Sequence, residues 1–207
     1  MAKALAILLL CWCARAQDTR LAELKATLVA VRGHAQDYPK TRGAGPQLTV
    51  AKHQLRNWVE SRLGKLGERD DPGEMVRQLN HELRAIKLLC DEDCYLEEMG
   101  LRSEPTGSLL LRTGAGIECG FDDSAYLYEW TVSGWRRFWE SEQNSYTERD
   151  YKPQRIHDVL ISPQSEANTN QLILTLGAQT WCASNWHFCL LPDLAQGCRQ
   201  RRTEVVA

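Results

Sequence analysis

Residues 125–140 read AYLYEWTVSGWRRFWE, two short runs of aromatic residues on either side of Ser133-Gly134. Large residues alternate with others at a period of two, which belongs to a strand and not to a helix. A Ser-Gly pair between two such runs predicts a β-hairpin. With Ser133-Gly134 as the turn, Tyr128 faces Trp139 and Trp130 faces Arg137. Tyr126, Tyr128, Trp130, Trp135, Arg137 and Trp139 then share one face. Leu127, Glu129, Phe138 and Glu140 lie on the other, more charged face. The aromatic face is therefore read as core, with a margin left open as a stacking platform. The platform residues named by this reading are Tyr128, Trp130, Trp135, Arg137 and Trp139. Twelve of the chain's sixteen aromatic residues fall between Phe121 and Phe188.

Outward from the hairpin, the same period recurs in Leu109 to Arg112, Gly116 to Gly120, Ile156 to Ser162 and Gln171 to Gly177, punctuated by Gly, Ser, Asn and Pro. Upstream the period is helical. Leu21, Leu24, Leu28 and Val31 form one stripe. Thr49 is read as the cap of a second helix whose stripe is His53 or Leu55, Trp58 or Val59, then Leu63 and Leu66. Asp71, Pro72 and Glu74 mark the start of a third, whose stripe runs from Met75 and Val76 through Leu79, Leu83 and Ile86 to Leu89 or Cys90. The fold class expected is α+β: a helical part of about three helices (17–104), then an antiparallel β part of about six short strands (105–188). Residues 189–207 read as an irregular tail. No helix-length pattern lies between the strands, which argues against a parallel sheet.

Residues 1–16 resemble a secretory signal peptide in their physical plan: Lys3, an apolar run from Ala4 to Cys13, then Ala14-Arg15-Ala16. The run is too short for a membrane span, which takes about 20 apolar residues. Cleavage after Ala16 removes Cys11 and Cys13 and leaves six cysteines: Cys90, Cys94, Cys119, Cys182, Cys189 and Cys198. An even number in an exported chain reads as disulfide staples, and the pairing stays open. A Cys119–Cys182 bridge is a natural sheet-to-sheet or strand-to-loop link, and closing its loop of 64 residues would stabilise by about 4 kcal/mol on the chain-entropy view. The expected location is secreted or periplasmic, with no membrane span after the leader is removed.

Loss of Lys3 and Arg15 takes the formal charge from −2 to −4, so nothing global draws the chain to nucleic acid. No cofactor motif occurs, and the cysteine and histidine spacings complete no metal set. Catalytic candidates are Glu140 and Glu142, which share a strand face and could divide acid and base roles in glycoside hydrolysis, and His157. His157 and Asp158 are adjacent on a strand and point apart, which weakens a dyad. No nucleophile elbow, phosphate loop or zinc-protease motif is present, so the sequence gives an enzyme no specific support and leaves the question open. The function expected is an exported binding or interaction module, with a carbohydrate or cell-envelope polymer as ligand class. The alternatives are a secreted hydrolase using β-half carboxylates, or a structural assembly protein.

Overall fold

Leu21, Leu24, Leu28 and Val31 are all buried along α1 (19–32), so a stripe of period 3–4 faces a common core. This computed structural model describes residues 19–32, 44–89, 95–117, 120–142, 154–162, 171–179, 187–190 and 204–206. The leader 1–16 and Cys90, Cys94, Cys119, Cys182 and Cys198 lie outside these residues. Cys189 contributes only its backbone.

Helix α2 spans Ala44–Leu63, starting five residues before Thr49, the expected cap. Pro46 sits in its first turn, where a missing N–H costs nothing because that donor has no helical acceptor. Helix α3 spans Pro72–Ala85, with Asp71 at its cap accepting from Gly73 N at 2.8 Å. It ends earlier than the stripe to Leu89 implied. Lys87 adopts φ 61°, Leu88 N donates to Leu83 O and Lys87 N to Arg84 O. That is a Schellman stop, here built on lysine in place of glycine, and it turns Leu88 and Leu89 into the core. Asn80, buried on α3, clamps the next segment by donating to Met99 O and accepting from Met99 N, both at 3.0 Å.

The strands among the described residues are β1 (Gly100–Ser103), β2 (Leu109–Ile117), β3 (Gly120–Thr131), β4 (Gly134–Ser141), β5 (Gln154–Ile161), β6 (Gln171–Gln179), β7 (His187–Leu190) and β8 (Glu204–Val206). All pairings are antiparallel. Sheet A has the order β1-β2-β3-β4, and in sheet B β6 pairs with β5, β7 and β8. The run Gly116 to Gly120 is not a strand of its own: it closes β2 and opens β3. The segment read as an irregular tail supplies β8.

The molecule is layered as helices, sheet A, then sheet B. One face of sheet A (Leu101, Leu109, Leu111, Ala115, Tyr126, Tyr128) joins the helices in a single core. The other (Leu110, Ala125, Leu127, Trp139) packs on Ile156, Val159 and Ile173 of sheet B. Both faces of sheet A are therefore covered along most of its length, and the charged face its alternation suggested is reduced at the hairpin tip to the exposed pair Glu129–Arg136.

The hairpin register differs from the expected one. Thr131 pairs with Gly134, so Val132 and Ser133 form the turn, and Gly134 opens β4 with φ 103°. Thr131 Oγ1 donates to Gly134 O at 2.7 Å and holds the turn there. Trp130 consequently faces Trp135, and Tyr128 faces Arg137. A bulge then inserts Phe138, so that Leu127 faces Trp139 and Tyr126 faces Glu140. One extra residue reverses the alternation. Trp139 goes to the sheet B side, while Glu140 and Glu142 join Tyr126 and Tyr128 against α2.

Candidate functional site

The bulge builds a polar network where α2 crosses β3 and β4. On α2, His53, Arg56 and Glu60 succeed one another along one helix face. Arg56 Nη1 lies 3.2 Å from Glu142 Oε2 and 3.5 Å from Glu140 Oε2. Arg137 Nη1 lies 2.9 Å from Glu140 Oε2 and 3.5 Å from Glu60 Oε1. Glu60 also accepts from the Tyr128 hydroxyl at 3.2 Å, and the Tyr126 hydroxyl donates to Glu142. His53 Nε2 sits 2.9 Å from Glu142 Oε1 without the alignment of a hydrogen bond. The Tyr126 ring is held between the guanidinium groups of Arg56 and Arg137, at 5.9 and 5.8 Å. Burial and the neighbouring carboxylates push both tyrosine hydroxyls well above their usual range, so they remain donors.

Of the carboxylates named from sequence, Glu142 is fully enclosed, whereas Glu140 is 41% exposed. Both are held by Arg56. Acid and base in glycoside hydrolysis must both reach the sugar, and an enclosed Glu142 serves instead to fix Arg56, Tyr126 and His53. His157 stands exposed on β5 beside a bulge in the ladder with β6. The sequence reading named His53 only as a stripe residue of the second helix, and it missed Arg56 and Glu60. Their spacing of three and four marks one helix face, but only the tertiary crossing shows what that face meets.

A second set of carboxylates joins the layers. Lys52 Nζ and Asp122 Oδ2 form a buried pair at 2.8 Å, and Asp122 Oδ1 accepts Gln154 N at 2.9 Å. Asp123 Oδ2 accepts Ile156 N at 2.8 Å, and its Oδ1 accepts from Arg155 Nη1 at 2.9 Å. Arg155 also binds Glu97. Gly114 lies beneath this cluster, where a Cβ would stand 2.9 Å from both Asp123 Oδ1 and Glu97 Oε2. Adjacent acids on a strand point to opposite faces: Asp122 ties sheet A to Lys52 of α2 and to the start of β5, and Asp123 ties it to β5 alone.

Burial pushes the Asp122 carboxyl up despite Lys52, and raises Asp123 to about 6 against the pull of Arg155. An acid raised in the fold stabilises fully below its unfolded value of 3.8, and that contribution is lost as pH rises through about 6. Over this window Asp123 is expected to lower stability by at most about 3 kcal/mol. Asp123→Asn keeps an acceptor for Ile156 N and removes the titration. Urea unfolding at pH 4 and pH 7 should show a smaller pH difference for the variant than for the parent. An unchanged difference would contradict the assignment.

Beside the network, Glu60, Leu63, Tyr128, Trp135, Arg136 and Arg137 line an open cleft of about 340 Å³. Trp130, 38% exposed, meets the lining residue Trp135 edge-to-face, with ring centroids 5.3 Å apart. Tyr128, Trp130, Trp135 and Arg137, four of the five platform residues read from sequence, share this side. Trp139 does not. Among the described residues no group of three or more His, Cys, Asp or Glu could hold a metal ion, and no helix is long and apolar enough to cross a membrane. Comparison with family models, curated proteins and solved structures finds no match for the chain.

Proposed function

We propose that the chain is an exported, disulfide-stapled binding module that acts outside the cytoplasm and grips a carbohydrate or cell-envelope polymer at the hairpin tip. The observation that carries this reading is the half-exposed Trp130, set edge-to-face on Trp135, which lines a polar cleft. Exposed aromatic surface beside a few convergent polar groups is the usual make-up of a ligand site. Sugar rings offer apolar faces to an indole and hydroxyls to groups such as Glu60 and Arg137. The export half of the reading rests on the leader and the even cysteine count.

A glycan array probed with the full chain tests the binding half. Trp130→Ala is expected to abolish retention of whichever glycans the parent holds, with its unfolding midpoint close to the parent's. Undiminished retention by a folded Trp130→Ala variant would remove the hairpin tip from the function.

A further inference from the structure

Two buried donors on the wall of the cleft beside Trp130 have no hydrogen-bond acceptor among the described residues. The indole N–H of Trp135, on the cleft wall, is buried with no acceptor among the described residues. Arg137 Nη1 is close to two carboxylates but has no aligned hydrogen bond to either. Arg136, also on the wall, carries a second guanidinium, which pairs outward with Glu129. The Tyr128 hydroxyl already spends its proton on Glu60. Among the described residues Glu60 is the only carboxylate lining the cleft, and it is engaged by Tyr128 and Arg137. A site with surplus buried donors is completed by a ligand group that only accepts.

Building on the proposed glycan platform, we infer that the cleft takes a carboxylate-bearing saccharide, its ring on Trp130 and its carboxylate on the Trp135 N–H and the Arg137 guanidinium. A carboxylate accepts without donating, and its two oxygens match a planar guanidinium fork. A neutral sugar hydroxyl would bring a further donor to a wall already rich in them. The two obvious sources of such a group are a uronic acid and the lactyl ether of a muramic acid. They share this chemistry and differ in where the carboxylate hangs from the ring.

Titration calorimetry of the full chain separates the cases. The probes are a short oligogalacturonate, its methyl ester, a peptidoglycan glycan fragment stripped of its stem peptides so that the muramic lactyl carboxylate is free, and a neutral glucan oligomer. At least one acidic probe is expected to bind, about tenfold or more tighter than the ester and the glucan, because a hydrogen bond to a charged group is lost in each. Trp135→Phe keeps an aromatic ring but removes the N–H, and Arg137→Lys keeps the charge but removes the fork. Each is expected to erase that preference, with folding checked by the unfolding midpoint. Equal binding of acid and ester, lost in Trp130→Ala, overturns this inference and leaves the platform standing. Preference for the glucan also overturns it. No binding by any glycan overturns both readings.

Discussion

Lys52→Ala is expected to lose about 3–5 kcal/mol of stability at pH 7, because it leaves Asp122 as a buried charge without its counter-ion. Both side chains are almost fully enclosed, at 2% and 0% exposure, so water cannot take the place of the missing ammonium. The size of the effect depends on the charge state of Asp122. Burial already pushes this carboxyl up against the pull of Lys52; without Lys52 it rises further and takes a proton more readily. The deficit should therefore shrink as the pH falls from 7 towards 4. Lys52→Met combined with Asp122→Asn removes both charges and keeps an acceptor for Gln154 N–H, which otherwise loses its partner. That double variant should recover most of the loss. Urea unfolding followed by tryptophan fluorescence at several pH values is the measurement. A Lys52→Ala loss below about 1 kcal/mol, or one that ignores pH, would show that Asp122 has other means of solvation.

Trp139→Ala should cost about 3–5 kcal/mol, the range for truncating a large buried aromatic. Trp130→Ala, on the paired strand of the same hairpin, should change stability by about 1 kcal/mol or less. The two tryptophans differ in environment and not in type. Trp139 is 8% exposed in the layer between the sheets, against Leu127, Ile156, Val159 and Ile173. Trp130 is at the tip, with Val132 fully exposed beside it. Had the hairpin followed strict alternation, both would have faced the same way and their losses would be similar. Equal losses in paired unfolding experiments would thus argue against the bulge at Phe138. A large loss confined to Trp139 supports the three-layer arrangement and leaves Trp130 available for contact.

The helices were legible because their signals are local. The stripe of α1, the Asp71-Pro72 start of α3 and the spacing of Leu79 and Leu83 all depend on residues within a turn or two. Their ends were less legible. Pro46 inside the first turn of α2 reads as loop chemistry, and a Schellman stop on Lys87 lacks the glycine that normally announces it. Strands β2, β3 and β4 of sheet A and the β5–β6 pair were visible as periodic runs. β1, only four residues long, was hidden because its single buried side chain, Leu101, shows no alternation to read.

The site divides along the same line. Tyr128, Trp130, Trp135 and Arg137 could be grouped from strand alternation, and Glu140 with Glu142 from their separation of two. Nothing in the sequence announced that Phe138 would bulge, and that single extra residue moves Trp139 off the aromatic face and turns the two glutamates towards α2. His53, Arg56 and Glu60 were invisible as a site, because a polar helix face looks the same whether it meets water or a neighbouring sheet.

By itself the sequence determined the α+β class, the order of the main elements and the concentration of aromatic side chains in one hairpin, since each follows from local periodicity and side-chain chemistry. The tertiary structure decided the register of that hairpin, the burial of both faces of sheet A and the meeting of α2 with β4. Those depend on which layer covers which face. A shift of one residue reverses every side chain beyond it, and only packing against the helices and sheet B can select between the two alternatives.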